Sequence, residues 1–182
     1  MLQIDRLKNI LLTPKTEWPV IAGETATVQS LYVGYIMILA AIGPIALALR
    51  FGIAGAGITF AIANYLVSLA VVYLLALLVD ALAPSFGGEK NFIRSLQLVA
   101  YSLTVSWLAG VFHLLGVIGG LVNLVATIYS IYTLYLGAPV MKRCSQDKAV
   151  AFTVVVVLLA IVIGGLLSWI LYTILGVDLM GM

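Results

Sequence analysis

The sequence predicts an all-α fold, a polytopic integral membrane protein built as a five-transmembrane-helix bundle, and three observations carry that reading. Of 182 residues, 64% are hydrophobic and 9% charged, where a soluble domain carries about a quarter charged residues. The mean hydropathy is +1.21. Four long stretches, 25–49, 51–79, 95–141 and 149–177, contain no Asp, Glu, Lys or Arg. A chain so poor in charge has little surface to offer to water, so its exterior faces lipid.

Residues 1–27 are read as a polar N-terminal segment. Ile4, Leu7, Ile10 and Leu11 recur at helical spacing between Asp5, Arg6, Lys8 and Asn9, which predicts an amphipathic helix over 2–12 lying flat on the membrane. Thr13-Pro14 ends it, and Trp18 before Pro19 is placed at headgroup level. No secretory signal peptide is expected, because the first long apolar run begins near Val28 and is too long for a signal core.

Residues 28–182 form the membrane domain, with spans predicted at about 28–49, 58–79, 96–115, 117–140 and 150–175. About 20 residues at 1.5 Å each cover a hydrocarbon core of roughly 30 Å. The stretch 95–141 is about twice that length, so it is divided into two antiparallel spans with the turn at Gly116, Gly119 and Gly120. Helices are required because lipid offers no partner to backbone N–H and C=O groups, and the alternating short strands of a barrel are missing. Gly43-Pro44 is expected to kink the first span, since proline removes a donor and crowds the preceding turn. Gly52, Gly55 and Gly57 form a flexible turn; they lack the lysine and the preceding strand of a phosphate-binding loop.

Orientation follows from the cations. Arg6, Lys8, Lys15, Lys90, Arg94, Lys142, Arg143 and Lys148 fall on one side of the predicted spans and only Arg50 on the other. Cytoplasmic loops retain Lys and Arg, so the N-terminus is expected in the cytoplasm and, after five spans, the C-terminal tail 176–182 outside.

Ionisable groups are nearly missing from the spans, which argues against proton-coupled transport and intramembrane hydrolysis, chemistries that need a charge or proton at depth. His113 has no carboxylate or cysteine partner in sequence, so no catalytic residue, metal ligand or cofactor is assigned. The lone Cys144 is read as a small loop residue. Asp80 is a candidate for cytoplasmic ion pairing with Lys90 or Arg94. Asn64, Ser68, His113 and Asn123 form a candidate polar cluster bonding between helices. Two small-residue patterns at i, i+4 spacing, Ser102, Ser106 and Gly110 and then Gly164 with Ser168, together with Gly116 and Gly120 at the turn, mark candidate helix-packing or interface faces. Tyr129, Tyr132 and Tyr135 are read as a packing face or aromatic belt.

From Asp80 to Ala149 the chain resembles the Yip domain family, the Ypt/Rab GTPase-interacting membrane proteins, in its bacterial branch. Gly87-Gly88 before Phe92, Ala100-Tyr101-Ser102, Tyr135-Leu136-Gly137-Ala138-Pro139 and Lys148-Ala149 carry the resemblance, and Leu12-Thr13-Pro14 with Trp18 extends it to the N-terminus. The resemblance implies five spans, a cytoplasmic N-terminus and a short outer tail. Two departures stand out: Val105 and Ser106 occupy the place where the family often has proline, and the acidic-aromatic Gly-Pro motif of eukaryotic members is missing. Rab binding is therefore not transferred.

The expected function is that of a non-enzymatic membrane-organising scaffold or partner-binding adaptor in the bacterial inner membrane. Its expected partners are lipids, a second copy, or a membrane or cytoplasmic protein, and not nucleic acid. The alternative is a small oligomeric transporter or channel with a path lined by Asn64, Ser68, Asn123 and Thr127.

Overall fold

The computed structural model describes residues 4–52 and 56–175. Gly55 and the tail 176–182, and with it the placement of the C-terminus, lie outside the described residues. Among the described residues, five helices are long and apolar enough to cross a membrane: Val28–Phe51, Gly57–Phe86, Phe92–Leu115, Val117–Lys142 and Gln146–Ile174. We refer to them as the first to fifth spans. Two short helices precede them, α1 (Ile4–Leu12) and α2 (Pro14–Gly23). Among the described residues there is no strand.

Local chemistry sets the ends of each span. The first opens on a reciprocal cap, in which the Thr27 hydroxyl accepts from the Ser30 amide at 3.0 Å and the Ser30 hydroxyl from the Thr27 amide at 2.9 Å. It contains a π-helical turn at Tyr32–Ile36 and a break at Ala41. Pro44 has no N–H to give the Ala40 carbonyl, so the helix interrupts close to the expected Gly43-Pro44 kink. Gly52 ends it at φ +103°, a conformation open mainly to glycine.

The third span starts at Phe92, earlier than expected, because the Asn91 side chain caps it by accepting from the Arg94 amide at 3.1 Å. It breaks at Leu103, although Val105 and Ser106 stand where the resembled family often has proline. Thr104 turns its hydroxyl back toward the Ala100 carbonyl and shares a 2.6 Å hydrogen bond with the Tyr35 hydroxyl of the first span. Such back-bonding bends helices. A 3₁₀ stretch, Gly110–Leu115, leads to Gly116 at φ +60°, the turn into the fourth span.

The third span is the centre of the bundle and the fifth its margin: 44% of the most apolar stretch of the third is buried, but only 17% of that of the fifth. The fifth packs on the second and fourth. Its Ile161, Val162, Leu166, Trp169, Ile170 and Ile174 remain exposed, as lipid-facing side chains should.

The N-terminal helices depart most from expectation. They do not lie free on a surface. Ile10, Trp18 and Ile21 are completely buried in the same core as Leu96, Leu98 and Phe152. Tyr129 donates to the Leu11 carbonyl at 2.8 Å, and Trp18 Nε1 to the Thr133 carbonyl at 3.0 Å. Tyr129 lies 13 residues before Lys142, so the α1–α2 hairpin descends roughly 20 Å along the fourth span. Trp18 is therefore a core residue and not a headgroup anchor; Gly137 leaves the space its indole fills.

Candidate functional site

Two polar networks sit at the end of the bundle that carries the hairpin and the loops joining the second to third and fourth to fifth spans. In the first, Lys142 is completely buried at the end of the fourth span. Its Nζ donates to Asp80 Oδ1 at 2.8 Å, Ser95 Oγ at 2.7 Å and the Asn91 carbonyl at 3.1 Å. All three ammonium protons are thus used, the condition under which a buried cation is tolerated. Asp80 also accepts from the Asn91 amide at 2.6 Å and Ser95 Oγ at 3.0 Å. One lysine thereby joins three spans.

The backbone beside this knot explains Gly87-Gly88. Gly87, at φ +76°, ends the second span. A Cβ on Gly88 would lie 2.6 Å from the Lys142 carbonyl, and that carbonyl accepts from the Glu89 amide at 2.8 Å. The loop thus closes the fourth helix, which has a free carbonyl at its end. Outside the knot, exposed Arg143 pairs with Glu89 at 3.1 Å. Cys144 is buried next to it, and burial pushes its thiol pKa up.

The second network belongs to the hairpin. Buried Arg6 pairs with both Glu17 and Glu24. Asn9 donates to Glu17 at 3.0 Å, and the guanidinium lies 5.8 Å from the centre of the Tyr101 ring. Arg94 donates to the Ile21 carbonyl at 3.3 Å, tying α2 to the third span.

These contacts correct the pairing expected of Asp80. Its partner is Lys142, not Lys90 or Arg94: Lys90 is exposed and Arg94 is committed to α2. The signal was out of reach, because Asp80 and Lys142 are 62 residues apart in sequence. Arg6, Glu17 and Glu24 were missed for a similar reason. A charged helix near a terminus reads as solvated unless something shows that it folds back.

Three of the four polar-cluster residues meet. Asn64, Ser68 and His113 line one cavity of about 190 Å³, with Gly43 and Gly110. Asn64 also donates to Tyr172 of the fifth span at 3.2 Å. Asn123 does not join them, since its amide bonds the Gly119 carbonyl of its own helix at 2.8 Å. Thr127 lines a different, mainly apolar cavity of about 310 Å³. The four residues of the expected path are thus divided within one chain.

The small residues divide too. Ser106 shares a 2.8 Å hydrogen bond with Ser130, and a Cβ on Gly110 would lie 2.8 Å from Gly43 Cα, so both serve packing between spans. Ser102 is buried beside the apolar cavity with its hydroxyl unpartnered. Gly116 serves the turn. Gly120 and Gly164 face open space, and Ser168 is half-buried. Arg50, at the opposite end, donates to the His113 carbonyl at 3.0 Å.

Five apolar helices long enough to cross a membrane, three of them joined through buried Lys142, define a polytopic α-helical membrane protein. More narrowly, the chain belongs to the Yip1 domain family, whose model matches residues 8–177. It is thus a membrane protein of the Yip type. No curated protein and no solved structure matches it. The short elements that carry the resemblance meet in space: Trp18 packs on Gly137 and edge-on to Tyr101 at 6.5 Å, and Gly88 on the end of the fourth span.

Proposed function

We propose that this protein is a non-enzymatic scaffold or adaptor of a bacterial inner membrane, oriented with its N-terminus in the cytoplasm. The observation that supports this reading is the fixed polar end of the bundle. Lys142 ties three spans there and Arg6 ties the two ends of the hairpin, so both loops and the open end of the hairpin form one surface. Exposed Lys90, Arg143 and Lys148 alternate with Asp5, Glu24, Glu89 and Asp147 on it. A mixed-charge rim suits polar headgroups and charged protein partners, with specificity set by the pattern. The eight-to-one division of cations supports the orientation.

In-cell crosslinking through this face, read by mass spectrometry, tests the role. The expected result is a reproducible partner or second copy attached through Lys90 or Lys148. Absence of any such product, together with saturable flux in liposomes that is lost on Asn64→Ala, would replace the adaptor with the transporter. A reporter enzyme fused before Met1 should be active in the cytoplasm alone.

A further inference from the structure

The α1–α2 hairpin carries charge at a depth where the rest of the bundle is apolar. Arg94 bonds Ile21, Thr133 bonds Trp18 and Tyr129 bonds Leu11, so the hairpin runs from the networked end of the bundle toward the opposite end and turns back at Thr13. Its tip adjoins a groove lined by Leu11, Leu108, Phe112, Leu121 and Val125. Lys8 and Lys15, on either side of the turn, are exposed, and among the described residues neither has an ion-pair partner. Glu17, the acid closest to the turn in sequence, is buried on Arg6 and Asn9. Thr13 gives the start of α2 no side-chain cap. Hydrocarbon satisfies neither an ammonium group nor an uncapped helix end.

Two flanks of the bundle therefore differ in apolar height. Arg50 lies against Gly116 and marks the far headgroup level. Tyr129 comes 12 residues after Val117, which leaves roughly 18 Å of helix between that level and the hairpin tip. On the fifth span, exposed apolar side chains continue from Val150 through Val154, Leu158, Ile161 and Leu166 to Ile174. Those 24 residues cover roughly 36 Å. A hydrocarbon layer of about 30 Å fits the fifth span and not the hairpin flank. Ile161 lines one cavity with Thr127 and Ser130, so it stands at the depth of the hairpin tip, and it is 66% exposed. At one depth, then, one flank presents isoleucine and another presents lysine. A bilayer meets a short apolar height by becoming thinner there.

We propose that the hairpin thins the bilayer on its own flank by drawing the phosphate headgroups of that leaflet down to Lys8 and Lys15. Two unpaired ammonium groups select anionic phospholipids, whose charge neutralises them as the headgroups descend. Such thinning requires neither a protein partner nor a second copy, so it does not depend on the adaptor role.

The test places a spin label at Thr16→Cys or at Ile161→Cys in the full chain carrying Cys144→Ala, in vesicles of phosphatidylcholine with phosphatidylglycerol. The label at residue 16 is expected to relax with a water-soluble nickel chelate, as a headgroup-level label does, and the label at residue 161 with oxygen, as one in hydrocarbon does. Oxygen-dominated relaxation at both sites would show a flat bilayer around the hairpin, and nickel access at both would show a membrane that ends short of the tip on every flank; either result overturns the proposal. Spin–spin broadening at residue 16 would assign the face to a second copy and overturn it too. Native mass spectrometry reads the lipid class. Phosphatidylglycerol should be retained over phosphatidylcholine, and Lys8→Gln with Lys15→Gln should reduce that preference about thirtyfold, about fivefold for each lysine near an anionic surface. Both side chains are exposed and unpaired, so the double variant should fold. An unchanged preference in it would show that the lysines do not hold the headgroups.

Discussion

The indole of Trp18 occupies the place where residue 137 would carry a side chain. A Cβ on Gly137 would lie 2.5 Å from the ring and 2.6 Å from Leu98 Cδ1. Trp18 is completely buried and its Nε1 is held by the Thr133 carbonyl, so the ring has no free direction in which to move. Gly137→Ala should therefore lift the hairpin off the fourth span. An overpacking cost of about 1–3 kcal/mol is expected. Limited proteolysis would show it as faster cleavage within 4–23 with the spans intact; unchanged protection would mean that the ring shifts freely.

Lys142 supports a second prediction. Lys142→Met removes the ammonium but leaves Asp80, whose side chain is 20% exposed, beside Ser95 with no counter-charge. Breaking a buried pair from one side costs about 3–5 kcal/mol, and the lower end applies because Asp80 retains some water. In mixed-micelle unfolding, Asp80→Asn combined with Lys142→Met should be less harmful than Lys142→Met alone, because the orphaned charge is gone. Additive losses would show that the two residues do not act as a pair.

Both cases show what could be read in the sequence. The five spans were legible because insertion depends on summed apolarity, which is local; so was the turn at Gly116, where two spans fill one charge-free run. Lys142 reads as a loop cation, since nothing within twenty residues distinguishes a lysine that ends buried from one that ends in water. Trp18 before Pro19 has the composition of an interfacial anchor, and only the bare face of Gly137, 119 positions later, reveals its seat. The span ends moved where a cap or a buried partner extended the helix, as at Asn91 and Asp80.

The small residues give a contrast between two glycines. At Gly110 a Cβ would meet the Gly43 backbone at 2.8 and 2.9 Å, whereas at Gly164 it meets nothing within 4 Å. Backbone cannot rotate aside, so Gly110→Ala should separate the first and third spans and destabilise the protein by about 1–3 kcal/mol. Gly164→Ala should leave unfolding unchanged. If a second copy packs over Gly164 and Ser168, Gly164→Leu will reduce crosslinked dimer without lowering stability; a dimer insensitive to it places the contact elsewhere.

Cys144 provides a probe of the loop beside the Lys142 knot. Cys144 is 4% exposed, and burial raises its thiol pKa, opposed in part by the Lys142 cation. A raised pKa lowers the thiolate fraction at every pH below it, and the thiolate is the reactive form. Maleimide labelling of the native protein should thus stay slow from pH 7 to about pH 8.5, where an ordinary cysteine is half ionised, and become fast on unfolding. Gly88→Ala, which drives a Cβ to 2.6 Å from the Lys142 carbonyl, should loosen the loop and accelerate labelling in the folded state. Rapid native labelling at pH 7 would place Cys144 in an open loop, and the closure of the fourth span by Gly88 and Glu89 would then not hold in solution.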